Sequence, residues 1–273
     1  MLVSQSRRCL LLYALFSAPA LSAQGRDDAA WQRSCERDDD DSGERYCEVR
    51  HTGFRPGGSS LTVAPDQNGA VEVIGWDKDS VAVTIRIQAT ARSESDARAL
   101  AQRVEVEAGG SSVRVDGPGG GRREYWSASL ILHVPRKTGL IASTTNGPLL
   151  ASNLTGTIDL RSTNGPLSLK HLAGDVRARV QNGPLSVELD GNGWEGKGLD
   201  AESVNGPVDL SIPDGYNAEL ETGTVNGPMD TSVPLTITVQ GRMRDRVHAR
   251  LGKGGAPVRV VTTNGPITIR RAR

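Results

Sequence analysis

The sequence has few aromatic residues, few cysteines and no excess of charge of either sign. Aromatic residues make up 4% of the 273 residues, so we expect a thin core built from small side chains. Lysine and arginine number 32 against 32 aspartate and glutamate residues, and this balance lacks the electrostatic footprint of a nucleic-acid-binding protein. Hydrophobic residues at 37% and charged residues at 23% exclude disorder along the whole chain.

Residues 1–23 carry the features of a secretory signal peptide. Arg7 and Arg8 precede the apolar stretch 9–16, which is too short to span a bilayer, and small residues follow it. Cleavage is expected after Ala20 or Ala23, and a buried apolar N-terminus is the alternative. We therefore expect an exported protein, in the periplasm, outside the cell or at its surface, with no transmembrane segment in the mature chain.

Removal of the signal peptide leaves two cysteines, Cys35 and Cys47, in an acidic segment over 24–58 that we expect to be irregular. An oxidising compartment favours a Cys35–Cys47 disulfide, and free thiols or half of a metal site are the alternatives. The cysteine spacing matches no zinc-binding pattern. We therefore predict a disulfide and no metal.

Apolar and polar side chains alternate from residue 59 onward, which predicts short half-buried strands. Asn68-Gly69 is expected to form a turn between two of them. One stretch departs from this alternation, because apolar residues recur with helical spacing from Ala97 to Val104, behind the capping residue Ser93. We predict one short helix near 93–104.

The tripeptide Asn-Gly-Pro occurs six times, with spacings of 18, 18, 23, 21 and 38 residues. Apolar residues recur six positions before each asparagine and three positions after it, and also five positions after it except at Thr231. Internal repetition with a period near 20 residues is typical of a solenoid. The repeat corners are Asn146, Asn164, Asn182, Asn205, Asn226 and Asn264.

Proline after each glycine argues against a series of hairpins, because proline has no N–H to close a two-residue turn. We predict an all-β fold: a single-stranded parallel β-helix-like solenoid over 59–273, with coils of about 18–21 residues. An antiparallel sandwich is the alternative. At each corner, asparagine is expected to adopt the left-handed conformation, and stacked asparagine side chains are expected to hydrogen-bond along the axis. In chain-order stacking, Asp159, Arg177 and Asp200 form an outward column of alternating charge.

Repeated Thr-Asn-Gly-Pro-Leu units at 145–149 and 163–167 follow the exported N-terminus, the stretch 69–73 and a strand that ends at Val134-Pro135. This order resembles the bacterial putative-adhesin family, a domain of unknown function with Asn-Gly β-repeats. The resemblance covers about residues 60–270 and is most specific over 140–270. It implies a β-helix-like solenoid at the cell envelope and supplies no catalytic residues.

A binding, adhesion or structural module of the envelope is the first functional hypothesis, with anionic envelope polymers, glycans or surface proteins as partners. Basic residues outnumber acidic ones nine to one over 241–273, which creates a positive local field. Capping of the solenoid end is the alternative role of this segment. The candidate polyanion-binding residues are Arg242, Arg244, Arg246, Arg250, Arg270, Arg271 and Arg273.

A polysaccharide lyase or glycosidase is the alternative function. Asp209 and Asp230 share an outward position on successive repeats, so chain-order stacking would place them about 5 Å apart, near the separation in retaining glycosidases. No Gly-x-Ser-x-Gly or His-Glu-x-x-His motif occurs, and the four histidines form no metal-binding spacing. We therefore expect no catalytic, cofactor-binding or metal site.

Trp76, Trp126 and Trp194 are either sugar-stacking platforms or caps of a thin core.

Overall fold

The computed structural model describes residues 18–37, 43–65, 68–121, 123–233 and 246–272. Most of the predicted signal peptide, residues 1–17, lies outside the described residues. The chain divides into two units, residues 1–39 and 40–273. In the first unit, the described residues form one helix, α1 (Ala18–Arg37). No helix in the described ranges is long and apolar enough to cross a membrane.

The segment 24–58 is not irregular, which corrects the expectation from its composition. Helix α1 extends through it to Arg37, because the helix is rich in alanine, arginine and glutamine, which favour helices. Strand β1 (Glu44–Phe54) follows and is held by a distant segment of the chain, since all its residues pair with a strand at Val81–Ala91. Cys35 and Cys47 are both buried and in the disulfide form. The Cys35–Cys47 pairing itself stays a prediction.

The second unit contains twenty strands and one helix among its described residues. The helix is α2 (Glu94–Gln102). After β1, the strands are β2 (Ser60–Ala64), β3 (Val71–Trp76), β4 (Val81–Ala91), β5 (Glu105–Gly109), β6 (Ser112–Asp116), β7 (Tyr125–Pro135), β8 (Gly139–Asn146), β9 (Leu149–Ser152), β10 (Thr155–Asn164), β11 (Leu167–Lys170), β12 (Ala173–Asn182), β13 (Leu185–Glu188), β14 (Gly198–Asn205), β15 (Val208–Ile212), β16 (Ala218–Asn226), β17 (Met229–Thr231), β18 (Val247–Leu251), β19 (Pro257–Asn264) and β20 (Ile267–Arg271).

Helix α2 confirms the helix predicted near 93–104. The backbone N–H of Asp96 donates to the Ser93 side-chain oxygen at 3.2 Å, which caps the first turn. At the other end, the Arg50 guanidinium donates to the Ala101 and Val104 carbonyls at 3.0 and 2.7 Å. A cation at a helix C-terminus is favourable because it faces unpaired carbonyl groups.

Two ten-stranded sheets enclose the apolar core, which confirms the all-β class. Sheet A has the order β1-β4-β7-β3-β9-β11-β13-β15-β20-β17, and sheet B has the order β18-β16-β19-β14-β12-β10-β8-β2-β6-β5. Each repeat contributes the strand before its corner to sheet B and the strand after its corner to sheet A. The repeats pair in parallel, whereas β1, β4 and β7, β5 and β6, and β16 and β18 pair antiparallel. Both sheets are therefore mixed.

Six hydrogen bonds join seven corner asparagines in a row, as expected from the stacking of asparagine side chains. Each Nδ2 donates to the Oδ1 of the neighbouring asparagine at 2.8–3.0 Å. We call this row the asparagine ladder. In spatial order, its members are Asn68, Asn146, Asn164, Asn182, Asn205, Asn264 and Asn226.

The left-handed conformation expected for the corner asparagines belongs instead to the corner glycines, with the exception of Gly227. The described non-glycine residues with positive φ are all elsewhere in the chain, whereas Gly165 has φ of 153°. A Cβ at Gly165 would lie 2.3 Å from the carbonyl oxygen of Gly147 on the neighbouring repeat. This close approach requires glycine, and the asparagine ladder requires the side-chain amide of asparagine.

Buried hydroxyl groups secure the corners from the inner side. The residue two positions before most corner asparagines is serine or threonine, and its hydroxyl donates to a corner glycine carbonyl. Ser203 donates to Gly183 at 3.1 Å, and Thr262 donates to Gly206 at 3.0 Å. Both hydroxyl-bearing residues are buried. Four of the six contacts between neighbouring corners are thus bonded outside by amides and inside by hydroxyls.

Asn68 is a member of the ladder that the tripeptide pattern does not reveal. Gly69 is followed by alanine instead of proline. The sequence from Leu61 to Asn68 is also one residue longer than the corresponding sequence from Leu140 to Asn146, since Leu61 pairs with Leu140 and Asn68 pairs with Asn146. The predicted turn at Asn68-Gly69 is therefore the corner of a seventh, divergent repeat.

The last repeat does not stack in chain order. Strand β19 pairs with both β14 and β16, and β20 pairs with both β15 and β17. The Asn264 repeat is therefore inserted between the Asn205 and Asn226 repeats. Charge explains this order, because Arg259 lies beside both Asp200 and Glu221, which would face each other in chain-order stacking. Like charges on directly opposite strand positions are destabilising.

The predicted charge column is confirmed and is longer than expected. Asp159 pairs in register with Arg177, and Arg177 pairs with Asp200. The inserted repeat extends the alternation of sign through Arg259 to Glu221.

Replacing an internal rung of the ladder is expected to destabilise the fold more than replacing its terminal rung. Asn182→Ala removes two amide hydrogen bonds and should lower the free energy of unfolding by about 1–2 kcal/mol, whereas Asn226→Ala removes one and should cost about half as much. Urea unfolding of the two variants measures the difference. Equal losses would contradict an additive ladder.

Candidate functional site

The outer face of sheet B carries a network of ion pairs across four neighbouring repeats. The Arg259 guanidinium contacts Asp200 at 2.6 Å, Glu202 at 3.1 Å and Glu221 at 3.3 Å. Arg179 forms a second ion pair with Asp200. These side chains project from β12, β14, β19 and β16, so the network joins strands that are distant in sequence.

The Asp200 carboxylate of this network is held in its charged form. Burial raises the pKa of Asp200, but hydrogen bonds from Arg179 and Arg259 outweigh it, so its pKa lies below the ordinary value of 3.8. Burial lowers the pKa of Arg259, and its hydrogen bonds to Asp200 and Glu202 more than compensate. A carboxylate in this state is a poor proton donor, so Asp200 is suited to holding strands together and not to acid catalysis.

Most described residues of the predicted polyanion-binding set contact acidic or polar side chains. Arg242, Arg244 and Arg273 lie outside the described residues. Three contacts with carboxylates reduce the local positive field: Arg246 with Glu221 at 3.1 Å, Arg250 with Glu219 at 3.7 Å and Arg271 with Asp214 at 3.4 Å. Arg270 donates to the Ser211 hydroxyl at 3.0 Å, a contact that carries no opposite charge. Strands β19 and β20 lie inside their sheets, so only β18 of this segment forms a sheet edge.

Asp209 and Asp230 are not neighbours, which overturns the separation expected for a retaining glycosidase. Thr268 of the inserted repeat lies between them, paired with Asp209 on one side and Asp230 on the other. Two strand spacings place the aspartates about 9–10 Å apart. The expectation was wrong because it assumed chain-order stacking.

Neither aspartate lines the two cavities described in the second unit, of about 490 and 470 Å³. Residues near α2 and β5 line both, Glu105 among them. Within the described residues, no group of three or more histidine, cysteine, aspartate or glutamate side chains could hold a metal ion.

The three tryptophans considered as sugar platforms use their indole N–H groups to bond the protein's own backbone. Trp76, Trp126 and Trp194 donate to the carbonyls of Ser80, Pro118 and Gly174 at 2.8, 2.9 and 3.0 Å. Trp126 and Trp194 pack against the edge of the core. Lys78 lies over the Trp76 ring at 4.5 Å, and His133 lies beside it. These contacts favour the structural role of tryptophan.

An uncharged ridge runs along the corners of the six Asn-Gly-Pro repeats. We define the ridge as the residues one before, at and two after each corner asparagine. Every asparagine of the ridge is exposed, and every proline is exposed except Pro148, which is partly buried. The column before the asparagines consists of Thr145, Thr163, Gln181, Val204, Thr263 and Val225 in spatial order.

Replacement of Asp200 should destabilise the protein in a pH-dependent manner. Asp200→Asn is expected to lower the free energy of unfolding by about 1–2 kcal/mol near pH 7, because two guanidinium groups lose a charged acceptor. The folded-state pKa of Asp200 is depressed, so its stabilisation is present above 3.8 and is lost as pH falls through the folded value.

Urea unfolding of wild type and variant between about pH 7 and pH 2 measures this difference. Asp159→Asn, which removes only the exposed pair with Arg161, is the control and should cost less than about 0.5 kcal/mol. An Asp200→Asn effect of constant size across the pH range would contradict the assignment.

Comparison with known proteins places the repeats in a family. Three solved structures are similar to this chain, and each is matched over nearly its own whole length. They are a putative cell adhesion protein from Clostridium sporogenes (11% identity, 84% of this chain and 100% of that chain covered, TM-score 0.36) and a putative adhesin from Bacteroides fragilis (11% identity, 82% and 97% covered, TM-score 0.33). The third is a putative lipid binding protein from Parabacteroides distasonis (8% identity, 83% and 97% covered, TM-score 0.27). No curated protein matches the sequence. Residues 129–270 match the family model described as Toastrack DUF4097, which confirms the resemblance found in the repeats. Because this match spans more than half of the chain, the protein belongs to the Toastrack DUF4097 family.

Proposed function

We propose that the protein is an exported, non-enzymatic module of the bacterial cell envelope that binds or supports partners through the outer surfaces of its repeats. The observation that carries this proposal is the asparagine ladder, whose six hydrogen bonds hold exposed corners in one register. A surface that is already ordered loses little conformational entropy on binding. An extended partner can also contact several repeats at once, so weak contacts add.

We also propose that residues 59–273 form a parallel β-helix-like solenoid with one strand of each coil on each sheet. The parallel register of successive repeats in both sheets supports it. The antiparallel strands at the two ends would then act as caps, which solenoids need because an open edge can recruit other chains.

Export is supported by the two arginines and the apolar stretch at 7–16, and by the disulfide form of Cys35 and Cys47. Disulfides persist in the periplasm and outside the cell and are rare in the cytosol. The periplasm, the cell surface and the medium are all consistent with these features.

The full chain expressed in a bacterial host should lose its first 20 or 23 residues, so that N-terminal sequencing reads from Leu21 or Gln24. Leu11→Asp/Leu12→Asp interrupts the apolar stretch and should leave the precursor uncleaved, with Asp38→Asn as a neutral control. Full-length wild-type protein in the cytosol would contradict export.

Anionic envelope polymers are the partners that the basic segment 241–273 favours. The ion pairs of Arg246, Arg250 and Arg271 weaken this attraction, because each cation is already beside a carboxylate. Glycans and surface proteins, which can be bound without a net positive field, are therefore the better-supported partners.

The mature protein should bind at least one polymer in an array of neutral and anionic envelope polymers, without releasing soluble fragments. We expect affinity to change less than about threefold between low salt and about 1 M salt, where the Debye length is about 3 Å. Arg270→Glu/Arg271→Glu should have a similarly small effect.

A steep loss with salt and with this variant would instead assign binding to the basic segment. Soluble fragments would indicate a lyase or glycosidase. Absence of binding to every polymer and to every envelope surface protein tested would contradict the proposed function.

A further inference from the structure

The ridge is uncharged along its whole length, although 23% of the chain is charged. The adjacent outer face of sheet B carries a charge on nearly every repeat, from Asp159 and Arg161 to Arg259 and Glu221. Corner geometry accounts for the asparagine, glycine and proline of each repeat. It does not account for the column before them, where threonine, glutamine and valine stand with no charged residue among them.

Two members of this column are exposed apolar residues. Val204 and Val225 are 40% and 47% exposed, and they are among the most exposed large hydrophobic side chains of the described residues. With the proline rings on the other side of the ladder, they provide apolar contact area beside the amides. The ridge therefore offers polar and apolar groups side by side, in parallel rows.

The ladder leaves hydrogen-bonding groups available for a partner. A side-chain amide has two N–H groups and an oxygen with two lone pairs. Asn164, Asn182, Asn205 and Asn264 each use one N–H and one lone pair in the ladder, and no described residue takes the second N–H. Because successive strands are about 4.8 Å apart, these four donors repeat at that interval along about 14 Å.

Backbone pairing with a partner strand is not available at the ridge. The corner N–H and C=O groups already join neighbouring repeats, as in Gly165 N–H to Asn182 O at 3.0 Å and Leu167 N–H to Pro184 O at 2.9 Å. A partner must therefore be recognised by side chains. Polyanions are disfavoured as well, because the ridge holds no cation.

We propose that the ridge binds an extended, uncharged, β-linked polysaccharide whose chain runs along the asparagine ladder. Sugar rings in such a chain repeat at nearly the spacing of β-strands, so successive rings meet equivalent amides. Each ring offers hydroxyl groups that accept from and donate to the asparagines, and C–H faces that pack on proline and valine. This inference rests on the proposed binding function and names its partner class.

The test is co-sedimentation of the mature protein with insoluble cellulose and chitin, at low and high salt. Thr163→Lys/Gln181→Lys places two long charged side chains on the central ridge and should weaken binding at least tenfold. Ser168→Lys/Ser186→Lys is the matched control, because it adds the same charges to the same two repeats on the outer face of sheet A. The control should bind as wild type does, binding should not depend on salt, and both variants should melt as wild type does.

The outcomes separate this inference from the function on which it rests. Equal binding by the ridge variant and wild type would overturn the ridge as the site, and binding only to anionic polymers or surface proteins would overturn the uncharged partner. After either result, the proposed function of the protein as a binding module still stands. Absence of binding to any polymer or surface protein would overturn both.

Discussion

The repeat region depends on the close approach of each corner glycine to the carbonyl oxygen of the neighbouring repeat. Cβ atoms at Gly165 and Gly183 would each lie 2.3 Å from such an oxygen, so any side chain there would push the strands apart. The separation that glycine permits brings the asparagine amides within hydrogen-bonding distance. Proline then removes the N–H that a hairpin would need. Each residue of the tripeptide therefore has a separate physical role, and the three together set the register of both sheets.

Corners alone do not determine the order of the repeats, because each corner can stack on any other. Charge provides the missing specificity. With the last repeat inserted, Arg259 separates Asp200 from Glu221 and bonds both, whereas chain order would oppose two acids. Single exposed ion pairs contribute little, but a network shared among strands penalises the wrong neighbour. The end of the stack also follows from composition, since Met229 and Thr231 are exposed where other repeats bury leucine, valine or isoleucine.

The sequence was sufficient to predict the elements that depend on local or periodic patterns. Helix α2, the parallel stacking of the first four repeats and the asparagine hydrogen bonds all follow from spacing. Helix α1 is not evident from the acidic composition of 24–58, although its alanine, arginine and glutamine favour a helix, and β1 is not evident because its partner β4 is distant in sequence. The inverted order of the last two repeats was also missed, although the column from Asp159 to Glu221 alternates in sign only when Arg259 is inserted. A search for charge alternation would have found it, and would have separated Asp209 from Asp230.

The distribution of charge bears on where a partner can bind. On the outer face of sheet B, arginines and carboxylates neutralise each other between strands, so a charged ligand would have to displace contacts that determine the fold. Arg246, Arg250 and Arg271 of the basic C-terminal segment are paired with carboxylates in the same way. The ridge is free of this conflict, because its ladder uses only part of the hydrogen-bonding capacity of each amide. The ladder that aligns the repeats thus also leaves an ordered, uncharged row of donors at the surface, and the groups available for recognition lie there.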